Sequence, residues 1–148
     1  MDGRTQQTPR AVESEIRVRY AETDAEGVVY YANHFIYMEV ARVNLLRELG
    51  FTLNYWQDHG LGIVIVEANC RYHSPARFDD ILTARAWVEA VRRSSFTVAY
   101  EIWNRDERRL VAEGRTVQVL VHLAEMRSVA LVAEVAQALR EAGGLDHP

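Results

Sequence analysis

The stretch YAETDAEGVVYYANH, residues 20–34, places a carboxylate and a glycine between a predicted strand and a predicted helix. The carboxylate of Asp24 could attack an acyl carbonyl carbon, or activate a water molecule that does so. Such chemistry needs hydrogen-bond donors for the charge that develops on the carbonyl oxygen. The first N–H groups of a helix that begins just after Asp24 would supply them, and Gly27 would let the loop fold tightly enough to aim both groups at one carbon. The segment is therefore a candidate site for cleavage of an activated acyl group.

The same residues also have ordinary structural explanations. An Asp in a strand-to-helix loop commonly stabilises a turn. Asn33 would either orient Asp24 or cap the helix. Tyr30 and Tyr31 would be core or interface aromatics in most folds. The types and spacing of these residues leave both explanations open.

The spacing of apolar residues predicts the elements that position this loop. From Glu15 to Tyr20, charged residues alternate with Ile16 and Val18, which is the period of a half-buried strand. After the loop, apolar residues recur at helical spacing between Asn33, a plausible N-cap, and Gly50, a plausible stop. Only a narrow polar edge interrupts them, so we expect this helix to be largely enclosed.

Everything from Gly62 to Leu123 has the pattern of β-strands. The four predicted strands are GIVIVEANCRY, ILTARAWVEAV, SFTVAYEIWN and RLVAEGRTVQVLVHL. One face of the second strand carries Leu82, Ala84, Ala86, Val88 and Ala90. The last segment, SVALVAEVAQALREAGG, is amphipathic and helical. One nearly all-apolar helix followed by a long antiparallel meander indicates an α+β fold in which the sheet wraps around the helix.

The loop TDAEGVVYYAN, between a strand and an apolar helix, resembles the signature D-x-x-G-(I/V)-V-(W/Y)-(Y/H)-x-(N/S) of the 4-hydroxybenzoyl-CoA thioesterase family. The resemblance continues through RYHSPARFDD and VRRSSFTVAYEI, and covers about residues 15 to 125. It implies the hotdog fold, an antiparallel sheet wrapped around one long central helix, and hydrolysis of an acyl-CoA thioester. It also implies that Asp24 is the nucleophile or general base and that the Tyr31 backbone N–H polarises the thioester carbonyl. The family often has His where Tyr31 stands, so we expect no imidazole to assist here.

Two further predictions concern substrate contacts. Coenzyme A carries phosphates, which arginines bind bidentately, and the best candidate is the turn of Arg92, Arg93, Ser94 and Ser95. A solvated hairpin turn also explains that cluster, and Arg71 and Arg77 are lesser candidates. Other hotdog thioesterases carry the catalytic carboxylate on the buried helix. Glu39 is therefore an alternative to Asp24, unless it is an edge-exposed or paired helix acid.

Composition limits the remaining possibilities. The 148 residues suit one domain, predicted at residues 13–142 between a flexible leader at 1–12 and a tail at 143–148. The net charge of −4 disfavours nucleic acid as a partner. No signal peptide or membrane span is predicted. The single cysteine, Cys70, is predicted to be a buried thiol. A lone cysteine favours a cytoplasmic location. The histidines show no metal-ligand spacing, so no metal is predicted. No cofactor is predicted either, because coenzyme A is part of the substrate.

The predicted fold also bears on partners and on competing functions. One helix leaves an edge and a face of a small sheet exposed, which predicts at least a homodimer, and the resembled family often forms tetramers. The sequence leaves open which acyl group the substrate carries. It also leaves open whether that group is bound to coenzyme A or to acyl carrier protein. A dehydratase of the same fold is disfavoured because the loop lacks a His. A noncatalytic acyl-CoA or lipid-binding module and a structural dimerisation domain are disfavoured because neither needs Asp24.

Overall fold

Residues 7–145 are described by a computed structural model, and they form one antiparallel sheet with three α-helices. The strands are β1 (Val12–Arg17), β2 (Leu61–Tyr72), β3 (Ile81–Val91), β4 (Ser95–Asn104), β5 (Arg109–His122) and the short β6 (Arg127–Ser128). The helices are α1 (Asn33–Glu48), α2 (Leu53–Asp58) and α3 (Ala133–Gly143). Residues 1–6 of the predicted leader and residues 146–148 of the predicted tail lie outside the described residues.

The sheet confirms the predicted fold class. Its strand order is β1-β3-β4-β5-β2, with β6 beside β5, and every pair is antiparallel. The predicted bounds of β3 and β4 agree with the structure, and those of β2 and β5 differ by one residue. The arrangement is not a simple meander, because β2 pairs with β5 and so forms an edge of the sheet. In β3, Leu82, Ala84, Ala86 and Val88 are buried as predicted, but a register shift after Val88 removes Ala90 from that face.

The first strand lies earlier in the chain than its alternating pattern predicted. β1 spans Val12–Arg17 instead of Glu15–Tyr20, because its partner β3 begins at Ile81, which pairs with Arg17. The alternation continues past the strand, since Val18 is still buried. Tyr20 instead opens a short 3₁₀ turn, and 76% of its surface is exposed.

Small residues in the sheet allow α1 to lie close against it. Met38, Ala41 and Leu45 on one face of α1 are fully buried. A side chain at Gly114 of β5 would meet the Met38 methyl group at 2.7 Å and the Asn69 backbone oxygen at 2.2 Å. Glycine at this position is therefore required for α1 and β2 to approach β5 as they do.

The prediction that α1 is largely enclosed is wrong for a single chain. Ile36, Val40 and Val43 are 51%, 39% and 42% exposed, and together they form an apolar stripe along the helix. On the edge strand β2, Ile65 and Val66 are exposed as well. These three apolar positions of the helix are thus left open, beside an edge of the sheet that pairs with no other strand among residues 7–145.

Two further helices complete the core. The sequence pattern missed α2, whose N-cap is Thr52, with its side-chain oxygen accepting a hydrogen bond from the Tyr55 N–H. Trp56 of α2 is buried. Helix α3 ends, as predicted, at a glycine, since Gly144 has the left-handed φ of 64°. No helix within residues 7–145 combines the length and apolar character needed to cross a membrane.

Candidate active site

The predicted catalytic loop is a small hairpin held against the segment that precedes β3. Thr23 bridges to Val29, and Val28 bridges to Arg77. The Asp24 N–H donates to the Val28 carbonyl oxygen at 2.9 Å, and the Gly27 N–H donates to the Asp24 carbonyl oxygen at 3.0 Å. Gly27 has φ of 79°, the left-handed conformation that glycine adopts without strain. The backbone around Asp24 is therefore fixed by the turn that Gly27 permits.

The Asp24 side chain stabilises this turn and also faces a cavity. Its Oδ1 accepts a hydrogen bond of 2.9 Å from the Glu26 N–H. Within residues 7–145 no other hydrogen bond and no ion pair to this carboxylate is found, so Oδ2 is available to a ligand. Asp24 lines a cavity of about 350 Å³ whose wall also includes Val28, Val29, Tyr31, His34, Tyr72, His73, Ser74 and Pro75.

The start of α1 differs from the predicted one. The N-cap is Ala32, with φ of −67° and ψ of −23°, and Asn33 is already the first helical residue. The N–H groups of Asn33, His34 and Phe35 donate to the carbonyl oxygens three residues earlier. In the described part of the chain, the N–H groups of Tyr31 and Ala32 have no acceptor. These two donors at the helix start are thus free to bind a negatively charged oxygen.

Asn33 has neither of its two predicted roles. Its Nδ2 donates a hydrogen bond of 2.8 Å to the carbonyl oxygen of Glu22, which also accepts from the Tyr30 N–H at 2.9 Å. The Glu22 carboxylate in turn accepts from the Tyr37 hydroxyl at 3.0 Å. Asn33 therefore ties the first turn of α1 to the 3₁₀ turn that precedes the catalytic loop.

Glu22 is a positioning residue that the sequence pattern did not reveal. Burial raises the pKa of its carboxyl, but hydrogen bonds from Arg19 and Tyr37 outweigh burial and hold this pKa below its ordinary value. Only 12% of the side chain is exposed. The local signal was the capping box in which the Glu22 side chain accepts the Arg19 N–H, and its contact with α1 depends on tertiary structure.

Tyr72, which also lines the cavity, fixes the backbone at Tyr31. Its hydroxyl donates a hydrogen bond of 2.9 Å to the Tyr31 carbonyl oxygen. Burial, together with neighbouring Cys70 and Tyr31, raises the pKa of Tyr72 to about 12, so the hydroxyl keeps its proton at neutral pH. The Tyr31 ring is 61% exposed and packs against Tyr30. Its backbone is thus held in place while its side chain is largely outside the fold.

An imidazole lies on the cavity wall, although none was expected at Tyr31. It belongs to His34, in the first turn of α1, and only 3% of its surface is exposed. Its ring packs edge-on against Tyr72 at 5.0 Å and Tyr37 at 5.9 Å. Burial lowers the pKa of His34 to about 4, so the ring is neutral at physiological pH. The sequence analysis gave His34 no role in catalysis.

Glu39 lies apart from the Asp24 cavity. It is exposed, and it lines a separate cavity of about 500 Å³ between α1, α2 and the start of β2. Most of this second cavity is apolar, with Leu46, Phe51, Trp56, Leu61 and Ile63 in its wall. The structure therefore brings Glu39 close to a hydrophobic space, and not beside the free N–H groups of Tyr31 and Ala32.

The predicted coenzyme A contacts lie on the other side of the sheet. Gly114 faces α1, so its neighbour Arg115 faces away, and Arg115 shares a polar cavity of about 560 Å³ with Arg92 and Ser95. The carbonyl oxygens of Arg93 and Ser94 accept backbone hydrogen bonds from Leu131 and Leu120. A single chain does not bring this cluster to Asp24.

The lesser arginine candidates are closer to the catalytic loop. The backbone of Arg77 pairs with Val28, and Arg71 precedes Tyr72 on β2. Both are exposed. Across residues 7–145, no group of three or more His, Cys, Asp and Glu side chains is placed to hold a metal ion.

Comparison with known proteins identifies the family. The sequence profile described as "Thioesterase superfamily" matches residues 26–111, which is more than half of the chain. This chain belongs to the thioesterase superfamily. The matched part begins two residues after Asp24 and includes Tyr31 and the whole of α1. The prediction of family drawn from the loop is therefore confirmed.

Individual members of the thioesterase superfamily align over most of the chain. The acyl-CoA thioester hydrolase YbgC of Escherichia coli O6:H1 is 32% identical over 116 residues, 78% of this chain and 86% of that protein. The 1,4-dihydroxy-2-naphthoyl-CoA hydrolase of Thermosynechococcus vestitus is 31% identical over 113 residues, 76% of this chain and 77% of its own length. The crystal structure of a DHNA-CoA thioesterase from Staphylococcus aureus superposes with a TM-score of 0.84 at 26% identity, covering 88% of this chain and 89% of that one. The predicted hotdog fold is confirmed.

Proposed function

We propose that this thioester hydrolase is an acyl-CoA thioesterase in which Asp24 acts as nucleophile or general base. Family membership establishes the reaction class, and the identity of the catalytic groups is the part proposed. The observation that carries the proposal is that Asp24 and Tyr31 line one cavity, with one carboxylate oxygen and two helix-start N–H groups available. A carboxylate and oxyanion donors on one cavity are what thioester cleavage requires.

The thioester carbonyl oxygen would accept hydrogen bonds from the N–H groups of Tyr31 and Ala32. In the nucleophilic route, Asp24 forms a bond to the carbonyl carbon, the C–S bond breaks and the coenzyme A thiolate leaves. Water then hydrolyses the resulting anhydride. In the general-base route, Asp24 takes a proton from water as the hydroxide attacks, and collapse of the tetrahedral intermediate expels the thiolate. Either route places the developing charge at the positive end of α1.

The apolar cavity between α1 and β2 suits the acyl group. Glu39 lines this cavity and lies six residues after Asn33 on α1. At a rise of 1.5 Å per residue, the two residues are about 9 Å apart along the helix axis. The apolar stripe of Ile36, Val40 and Val43 leads towards it. This arrangement favours an acyl group of several carbons or an aromatic ring system over acetyl. Relatives named for naphthoyl and gentisyl thioesters are consistent with a bulky acyl group.

A second copy of the chain would complete this site. It would cover the stripe on α1 and pair with the open edge of β2, where Ile65 and Val66 are exposed. Contact of coenzyme A with the turn of Arg92, Arg93, Ser94 and Ser95 requires that another copy bring that turn to Asp24. A tetramer, a cytoplasmic location and the absence of any cofactor besides the substrate stay predictions.

The test is release of free thiol from a panel of short, long and aromatic acyl-CoAs, compared between the wild type and Asp24→Asn. Glu26→Gln is the matched control, since Glu26 is an exposed acid in the same loop whose backbone N–H holds Asp24. We expect Asp24→Asn to lose roughly 10²–10⁴-fold in kcat, and Glu26→Gln to keep its activity.

Two results would contradict this proposal. Full activity in Asp24→Asn would exclude Asp24 and make Glu39 the next residue to replace. A wild type that binds acyl-CoAs without hydrolysing any would favour a noncatalytic binding module, or a substrate carried on acyl carrier protein.

A further inference from the structure

His34 lies on the wall of the Asp24 cavity, and one of its ring nitrogens is enclosed without a partner in the described structure. Its side chain is 97% enclosed, since its relative exposure is 3%, and its Nδ1 is buried without a hydrogen-bond partner among residues 7–145. Leaving a buried polar atom unpaired costs about 1–3 kcal/mol. Because Nδ1 is enclosed without an acceptor, the neutral ring is best accommodated with its proton on Nε2. Nε2 is not among the enclosed unpaired atoms of residues 7–145, so its N–H is the group that can meet a ligand in the cavity.

The ring is held rigidly beside the free N–H groups of the helix start. Tyr37 and Tyr72 pack against it edge-on, and Tyr72 also binds the carbonyl oxygen of Tyr31. His34 itself follows Ala32 by two residues in the first turn of α1. The imidazole and the two free amides are thus positioned by the same contacts.

The surroundings of the ring keep it uncharged. Burial lowers the pKa of His34 to about 4, and the positive end of α1 acts in the same direction. The facing ionisable groups are Asp24, Tyr31 and His73 in the cavity wall, and Tyr37 and Tyr72. None of them forms a hydrogen bond or ion pair with His34 in the described structure. An imidazole of such low basicity is a weak proton acceptor near pH 7, but its N–H remains a good hydrogen-bond donor.

We propose that the Nε2–H of His34 donates a hydrogen bond to the thioester carbonyl oxygen, as a third donor beside the N–H groups of Tyr31 and Ala32. This inference rests on the proposed thioesterase function. No proton passes to or from His34, which stabilises the charge that develops on oxygen while the C–S bond breaks.

Two substitutions separate the donor role from the other roles of this residue. His34→Phe keeps an aromatic ring against Tyr37 and Tyr72 but removes the donor, and we expect kcat to fall roughly 10²–10³-fold with KM little changed. His34→Gln keeps an N–H donor and cannot titrate, so it should retain much more activity than His34→Phe. A general base would be lost in both variants, and a residue needed only for packing would be replaced adequately by Phe.

A spectroscopic measurement tests the hydrogen bond directly. Asp24→Asn should hold an intact acyl-CoA labelled with ¹³C at the thioester carbonyl, whose stretching band isotope-edited infrared spectroscopy resolves. We expect this band at lower frequency in Asp24→Asn than in Asp24→Asn combined with His34→Phe. If the Phe variant does not fold, His34→Leu replaces it in the same comparison, with His34→Gln as the variant that retains the shift.

The outcomes distinguish this inference from the function on which it rests. A fully active Asp24→Asn overturns the assignment of Asp24. Suppose that the wild type is active and Asp24→Asn is inactive, while the kcat of His34→Phe is within about threefold of the wild-type value. This result overturns only the role of His34. Equal loss in the Gln and Phe variants, or a carbonyl band that does not move, also overturns it. If no acyl-CoA is hydrolysed, the band of the bound ester still decides whether His34 donates to it.

Discussion

The Tyr72 hydroxyl on β2 donates a 2.9 Å hydrogen bond to the Tyr31 carbonyl oxygen just before α1. This bond joins the edge strand to a residue whose N–H is one of the proposed oxyanion donors. Tyr72→Phe should lower kcat by up to about tenfold, because the amide is less firmly held, and lower the unfolding free energy by at most about 1 kcal/mol. Steady-state kinetics and urea unfolding measure the two effects.

The matched control is Tyr20→Phe. Tyr20 is 76% exposed, and its hydroxyl has no hydrogen bond within the described residues. It should behave as the wild type in both assays. An unchanged kcat in Tyr72→Phe would mean that the Tyr31 backbone is held by the loop alone.

Glu22 gives a prediction about acid stability. Its pKa in the folded state is below the ordinary value of 4.5, so its contribution to stability is fully present above pH 4.5 and is lost as the pH falls through the lower, folded pKa. The Glu22→Gln variant has no carboxylate at this position, so this contribution is absent from it at every pH. Its unfolding free energy should therefore fall less steeply than that of the wild type between about pH 5 and pH 3.

Urea unfolding at several pH values measures these slopes. Glu26→Gln serves as the comparison, because Glu26 is an exposed carboxylate four residues along the same segment. Parallel acid profiles for the wild type and Glu22→Gln would show that the contacts of Glu22 with Arg19 and Tyr37 do not persist in solution.

The open stripe on α1 gives a prediction about assembly. Val40→Arg places a charge where a second copy is proposed to pack, so it should convert the protein to monomers and reduce activity together with assembly. Val132→Arg is the control, because Val132 is 41% exposed, close to the 39% of Val40, and lies before α3 away from the stripe. Light scattering during size-exclusion chromatography and thiol release are the measurements. A dimeric and active Val40→Arg would exclude this face as the interface.

The sequence predicted most of the sheet because its strands alternate regularly. β3 and β4 were placed without error in their bounds, since turn-forming residues end both strands sharply. The error at β1 arose because the alternation continues to Val18 after pairing with β3 has ended. Strand pairing is a long-range property, and it decided the boundary against the local pattern.

Within the site, the sequence indicated residues whose roles depend on local order and missed those that depend on tertiary contacts. Asp24 and Tyr31 were found because loop and helix start are adjacent in the chain. Glu22, Tyr72 and His34 were missed because their roles follow from contacts with α1, the Tyr31 carbonyl and the cavity. Asn33 was predicted either to cap the helix or to orient Asp24, because it lies between the loop and the apolar run, whereas its amide binds the Glu22 carbonyl.

The exposed stripe of Ile36, Val40 and Val43 lies beside the outer edge of β2, which no other described strand pairs with, and this arrangement affects the stability of the protein. If a second copy covers these surfaces, part of the apolar area that stabilises the fold is buried only on association. Folding and association are then linked by mass action, so that the midpoint of thermal unfolding rises with protein concentration. Dilution would shift the population towards lone chains whose substrate cavities lack a wall, and specific activity would fall with it.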